Sequence, residues 1–279
     1  MKAKGEVLIR LNKEILRPFK YEDLTRLGSD GDGGYIVPAD QIKRTRVLLS
    51  LGMSDNWEFE KDFAQLNPTA RIIGVDHTVN PLWFFRRVLK YTWKFILYSV
   101  IINRQKRRKY YRKLKNSTSY FSFFKGEHVH LERRVSAGSE KVDISISRIL
   151  ESLSSTGYLH DVFLEMDIEG AEYEIWEDIV KNENRINCLV GEFHDLDTRT
   201  EDFNQCMQGF SEFFYLIHIH GNNGAAYDRT NDFPSVVELT FVNRSLISQS
   251  PSRSSYRYPR PGLDFQNNPG EPDYEIVLE

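Results

Sequence analysis

The densest concentration of reactive side chains in this 279-residue sequence is Glu165-Met166-Asp167-Ile168-Glu169-Gly170-Ala171-Glu172. It grows out of a short apolar run, Asp161–Met166, that reads as a strand, so alternation puts Glu165 and Asp167 on one strand face. Acids crowded at the mouth of a sheet are costly unless a ligand, a metal or a cation neutralises them. The alternative is structural: Asp167 or Glu169 caps a helix starting near Ala171, with Glu172 on its first turn. Two further clusters follow strand-like runs, Gly191-Glu192-Phe193-His194-Asp195 and His218-Ile219-His220-Gly221-Asn222-Asn223. Imidazoles and carboxylates on one rim can hold a divalent metal or supply a general base. Asp167, Glu169, His194 and His220 are therefore the candidate catalytic residues. Asp167, Glu192, His194 and His220 are the candidate ligands of a divalent metal. No zinc signature such as HExxH is present, and each histidine taken singly suits a hydrogen-bonded structural role equally well.

Earlier in the chain, an apolar run ends in Leu51-Gly52-Met53-Ser54-Asp55-Asn56. A glycine there lets a ligand approach the backbone, and the helix that follows presents free N–H groups. A second run ends at Asp76, 24 residues after Gly52. A carboxylate at that point can accept two hydrogen bonds from the vicinal diol of a ribose. Together these suggest a nucleoside-type cofactor. The glycines do not match the dinucleotide fingerprint, and no Gly-Lys-Ser/Thr makes a Walker loop. Taken apart, Gly52 also fits an ordinary tight turn and Asp76 a helix cap.

The elements that must position these residues alternate. Val47–Leu51, Arg71–Val75, Asp161–Met166, Ile186–Glu192, Phe214–His220 and Val236–Val242 read as strands, and His128–Val135 as another. Trp57–Leu66, Ile144–Leu153, Ala171–Val180 and Glu201–Glu212 read as helices. This alternation predicts an α/β fold with a mostly parallel sheet and helices on both faces, whose ligands sit beyond the carboxyl ends of the strands. No internal repeat is visible. Residues 1–279 read as a single domain. Residues 1–45 form an N-terminal cap with a Gly-rich turn, and 250–279 a C-terminal wrap holding five of the ten prolines.

The net charge of −3 hides a segregation. Residues 81–115 hold 12 basic and no acidic side chains, leaving 25 basic against 40 acidic elsewhere. In this basic arm Leu82, Phe85, Leu89, Trp93, Ile96 and Val100 follow a helical stripe. The pattern suits a helix lying on an anionic membrane surface. It equally suits a lid whose apolar stripe packs on the domain. Nucleic-acid binding ranks lower, because no RNA-binding module is recognisable elsewhere. The longest uncharged run there, Phe95 to Asn103, is too short to span a bilayer. Two cysteines, Cys188 and Cys206, give neither a disulfide framework nor a zinc spacing, and the N-terminus lacks the apolar core of a signal peptide. The expected location is cytoplasmic, peripheral to the inner face of a membrane if the arm binds lipid.

FLEMDIEGAEYEIW (163–176) resembles the strand–turn–helix hallmark of FkbM-type methyltransferases. Asp30-Gly31-Asp32-Gly33-Gly34-Tyr35 is similar to their N-terminal GDGGY element. SLGMSDNWEFEKDF (50–63) is similar to their first cofactor loop, and GVDHT (74–78) to their ribose-binding strand end. VGEFH (190–194), HIHGNN (218–223), VVELTFV (236–242) and LDFQNNP (263–269) resemble later segments in the same order. The single glycine of the first loop is a departure, since many methyltransferases have two or three there.

The resemblance implies a class I methyltransferase-like (Rossmann-like) seven-stranded sheet with its last strand antiparallel, here with the basic helical arm inserted. It implies S-adenosylmethionine as cofactor and O-methylation, often of a sugar or polyketide hydroxyl. Gly52, Met53, Ser54 and Asp55 would then approach the amino-acid end of the cofactor. Asp76 and His77 would lie at the ribose, Val135 and Ser136 near the adenine, and Asp167 at the sulfonium. The acceptor would be a glycan, a glycolipid or another hydroxyl compound. His194 or His220 would take its proton while Asp167 and Glu169 orient it, or a divalent cation would lower its pKa. Two other functions remain open: an RNA methyltransferase whose arm binds phosphates, and a non-catalytic membrane- or glycan-binding scaffold.

Overall fold

The computed structural model describes residues 9–138, 142–154 and 161–278. Residues 1–8, on which the signal-peptide reading partly falls, lie outside them. In chain order, β1 (Leu24–Gly28) and β2 (Gly34–Pro38) form an antiparallel hairpin, followed by α1 (Ala39–Arg44), β3 (Val47–Leu51), α2 (Glu58–Leu66) and β4 (Arg71–Val75). Then come α3 (Pro81–Val100), α4 (Arg104–Phe123), β5 (Val129–Leu131), the short pair β6 (Arg134–Val135) and β7 (Asp143–Ile144), and α5 (Ile146–Ser154). The remainder is β8 (Val162–Met166), α6 (Glu172–Lys181), β9 (Ile186–Phe193), α7 (Thr200–Phe213), β10 (Phe214–Gly221), the short pair β11 (Tyr227–Asp228) and β12 (Phe233–Pro234), and β13 (Val237–Asn243).

Seven strands form the central sheet in the order β10-β13-β9-β8-β3-β4-β5. All are parallel except β13, which runs antiparallel to both of its neighbours. This is the Rossmann-like, class I methyltransferase-like sheet that the sequence leads one to expect. Its strands are almost continuously buried, apart from the half-buried edge strand β5, because both faces are covered. Side-chain alternation explains how. Leu49, Leu164 and Leu189 pack with Ile149, Ile175 and Phe210 of α5, α6 and α7 on one face. Leu48, Phe163 and Val190 pack with Val37, Phe59 and Phe63 of β2 and α2 on the other.

Three expectations need adjusting. The run 128–135 is not one strand: pairing with β4 stops at Leu131, and Arg134–Val135 turns to pair with Asp143–Ile144, fixed by the Arg134–Asp143 ion pair at 2.8 Å. The basic arm is two antiparallel helices, and the hairpin runs on to Phe123, beyond the basic run. Asn80 caps α3 by accepting the Trp83 N–H, and Asn103 caps α4 by accepting the Lys106 N–H. The second cap is what stops one long helix from forming. The β1–β2 hairpin was not visible as strands, because its alternation is short and glycine-rich.

The C-terminal segment is a wrap without regular elements. It is bridged to the body at Phe19–Arg253 and to itself at Tyr258–Ile276. No described helix is long and apolar enough to cross a membrane.

Candidate functional site

Two clefts meet at the carboxyl ends of the parallel strands. The first, about 280 Å³, is lined by Gly52, Ser54, Val75, Asp76, His77, Thr78, Arg133, Arg134, Val135, Asp167, Ile168, Glu169 and Ala171. The second, about 330 Å³, is lined by Asp32, Asp167, Glu169, Glu192, His194, Asn222, Gly224, Ala225, Val236 and Asn267. Asp167 and Glu169 belong to both.

The floor of the first cleft depends on Gly52. Ladder hydrogen bonds continue past the strand ends, from the Gly52 N–H to the Val75 carbonyl (3.0 Å) and from the Asp167 N–H to the Leu51 carbonyl (2.8 Å). This draws β3 and β8 so close that a Cβ on Gly52 would lie 1.8 Å from the Asp167 backbone oxygen. The residue also has φ +91°, which favours glycine. Asp76 is buried and closes its own loop: Oδ2 accepts the Ser54 N–H at 2.7 Å, and Oδ1 accepts the Thr78 N–H and hydroxyl, each at 2.6 Å. Oδ1 is thereby filled, and Oδ2 retains acceptor capacity for one further donor.

Of the expected cofactor contacts, Gly52, Ser54, Asp76, His77, Val135 and Asp167 share this cleft. Met53, Asp55 and Ser136 do not line it. Met53 is buried with Trp57, Val79, Phe84 and Tyr120. Asp55 faces the foot of α4, its carbonyl accepting from Asn116 at 2.8 Å. Ser136 is buried, its hydroxyl accepting the Gly138 N–H.

In the second cleft, neither Asp167 nor Glu169 caps α6; the N-cap position is Ala171, and no side chain caps it. Glu172, fully buried on the first turn, instead receives His194: Nδ1 lies 3.0 Å from Oε1. This leaves His194 Nε2 facing Asp167 Oδ1 at 3.7 Å and Glu169 Oε2 at 3.6 Å. Asn222 Nδ2 donates to Glu192 Oε1. Tyr35, from the glycine-rich turn, directs its hydroxyl toward Asp167 Oδ2 at 3.4 Å. The Asp167 Oδ1 atom is buried without a hydrogen-bond partner.

The placement of His220 overturns its grouping with His194. In chain order β10 follows β9, but β13 inserts between them, so Glu192, Glu238 and His220 stand in one row across three strands. Two strand spacings separate His220 from Glu192, about 10 Å. Both His220 ring nitrogens are taken, Nδ1 by Glu238 at 3.1 Å and Nε2 by Asp273 of the wrap at 3.1 Å. A group of potential metal ligands within 4.8 Å of one another therefore comprises Asp167, Glu192 and His194, without His220.

The electrostatics follow from burial. Burial pushes Asp167 up to about 7, with His194 opposing and Glu169, Glu172 and Asp32 adding to the rise. Burial and the charges of Asp167 and Glu238 push Glu192 well above the usual carboxylate range. Burial and Glu60 do the same to Glu165 behind them. For His194 burial disfavours the charge, yet the bond to Glu172 and the surrounding carboxylates outweigh it and raise the imidazole to about 9. His220 is raised to about 10: burial opposes, and the bonds to Asp273 and Glu238 prevail.

Sequence reasoning did not single out Asp32, Tyr35, Glu172, Asn222 and Asn267 as site residues. Each lies within a motif already conspicuous in the sequence, so the signal was present. What was missing was the folding of the 30–35 turn and the 263–273 segment onto the rim.

No protein-family model matches the sequence, and no curated protein does. Among solved structures, the chain is similar to a Methanococcus jannaschii fibrillarin pre-rRNA processing protein, with 9% identity over 87% of this chain and 84% of that one, at a TM-score of 0.36. It is also similar to a precorrin-6y C5,15-methyltransferase from Geobacter metallireducens, with 13% identity over 74% of this chain and 86% of that one, at a TM-score of 0.34.

Proposed function

We propose that this chain is an S-adenosylmethionine-dependent methyltransferase that methylates a hydroxyl group, a sugar hydroxyl of a glycan or glycolipid fitting the site best. The observation that carries the reading is that the two clefts share Asp167 and Glu169. One is suited to a nucleoside cofactor and the other to a polar acceptor. The residues fit the cofactor. The Gly52 cradle admits no side chain, Asp76 stands where a ribose diol would need an acceptor, and the carboxylate of Asp167 complements a sulfonium charge. When bound, that cofactor supplies a methyl group activated for in-line displacement.

The chain's own residues do the rest. Glu192, Asn222 and Asp32 offer the acceptors and donors that polyhydroxyl compounds require. Holding the acceptor oxygen in line supplies much of the rate. The hydroxyl must also lose its proton. His194 already holds one at neutral pH, so the base role passes to Asp167, whose proton affinity near 7 suits the task. His194 then serves as the cation that keeps Asp167 ionised.

A second reading is supported by one detail. The Glu172–His194 hydrogen bond fixes the imidazole in the way that carboxylates orient metal-bound histidines by accepting from their other ring nitrogen. A divalent cation on Asp167, Glu192 and His194 would hold the acceptor oxygen and lower its pKa. An RNA acceptor is disfavoured, because the acidic second cleft repels phosphodiesters.

The test is transfer of radiolabelled methyl from S-adenosylmethionine to fractionated glycans and glycolipids, with and without a chelator. Asp167→Asn is expected to lower turnover by about 10²–10⁴-fold. Full activity under chelation removes the metal variant. Label appearing only in RNA overturns the acceptor assignment.

A further inference from the structure

We propose that the α3–α4 hairpin docks this protein onto an anionic lipid bilayer, with one face of α3 lying in the headgroup–acyl boundary. At 100° per residue, Leu82, Phe85, Leu89, Trp93, Ile96 and Val100 form a single stripe. Every one of them is between 50% and 73% exposed. Ile101 and Ile102, at the turn of the hairpin, extend the stripe and are exposed as well. The stripe therefore does not pack on the domain, and the lid expectation is not met.

The inner side of the hairpin is satisfied by its own residues. Phe84 stacks on Tyr120 with ring centroids 3.9 Å apart and meets Trp57 edge-on. Arg87 lies over Trp83 and donates to Tyr91 at 2.6 Å. Lys94 donates to Tyr110. The hairpin is thus rooted in an aromatic cluster next to the first cleft, and its apolar face is left over.

Charge decides what covers that face. Arg86 and Lys90 are exposed directly beside the stripe, and Arg104, Lys106, Arg107, Arg108, Lys109 and Arg112 line the exposed surface of α4. Neither helix contains an acidic residue. A second copy seated on the stripe would bring two sets of these cations together. A nucleic acid would satisfy the cations but leave Leu82, Phe85, Leu89, Ile96 and Val100 in water. An anionic bilayer satisfies both, with the aliphatic and aromatic face buried at the interface, Trp93 at headgroup level and the cations over the lipid charges. The helix is about 30 Å long and lies in the plane of the membrane rather than through it.

The experiment is co-sedimentation of the intact protein with phosphatidylcholine vesicles and with vesicles containing phosphatidylserine. Binding to the anionic vesicles, weakened by salt, is expected. Arg86→Gln with Lys90→Gln should weaken it by about tenfold or more. Leu89→Glu with Trp93→Glu should abolish it while leaving the circular dichroism and the melting temperature unchanged, because both positions are exposed. Equal retention of this last variant on the vesicles would overturn the proposal. So would steeply salt-dependent binding to RNA oligomers without vesicle binding. A dimer that the same variant dissociates, again without vesicle binding, would also overturn it.

Discussion

His194 Nδ1 lies 3.0 Å from Oε1 of Glu172, a carboxylate with no exposed side-chain surface. This bond joins the first turn of α6 to the end of β9. It fixes which imidazole nitrogen faces the acidic cleft and holds His194 protonated beside Asp167. The site is thereby set up as a linked pair of titrating groups rather than as isolated acids.

Replacing Glu172 by Gln keeps a hydrogen-bonding group but removes the charge that raises His194. The imidazole should titrate closer to its ordinary value, as followed by NMR. Asp167 feels two opposed changes, because Glu172 adds to its rise and His194 opposes it, so the His194 midpoint is the readout that isolates the bond. An unmoved His194 midpoint would show that Glu172 does not set it.

Gly52→Ala places a methyl group 1.8 Å from the Asp167 backbone oxygen at a residue with φ +91°. Backbone strain of this kind costs about 1–3 kcal/mol before any clash is relieved. Both the melting temperature and cofactor affinity should fall. Ser54→Ala, which keeps the N–H that Asp76 accepts, should change the melting temperature little. Calorimetric melting of the two variants side by side checks this.

The wrap should loosen in alkali. His220, raised to about 10 between Glu238 and Asp273, binds its proton more tightly folded than unfolded. Its contribution is therefore fully present below the ordinary imidazole value near 6.5 and is lost as pH rises through 10. Thermal melts across that window should decline in the wild type. His220→Gln removes the cation between Glu238 and Asp273, which keep only the Asn267 amide and the Tyr274 N–H as donors; this costs about 3 kcal/mol and should flatten the decline.

Much of this was legible in the sequence. Val47–Leu51 and Arg71–Val75 form strands with the expected bounds, because buried parallel strands are short, branched and continuous. Gly52, Asp76, Asp167 and His194 were identifiable because strand-end positions are chemically conspicuous. His220 was misplaced because strand order in space is not chain order, and the insertion of β13 cannot be read from periodicity. The role of Glu172 was hidden because a glutamate in a first helical turn looks like an ordinary dipole partner. Asp273 was hidden because its partner, His220, lies 53 residues away in the chain. The fate of the apolar stripe on α3 was undecidable from the pattern alone, since a packed lid and an exposed docking face share the same spacing.

Isothermal titration of S-adenosylmethionine into the purified protein tests the central claim most directly. Saturable, one-to-one binding to the wild type, weakened at least tenfold by Gly52→Ala, is the predicted result. An absence of binding heat at millimolar cofactor would contradict the account.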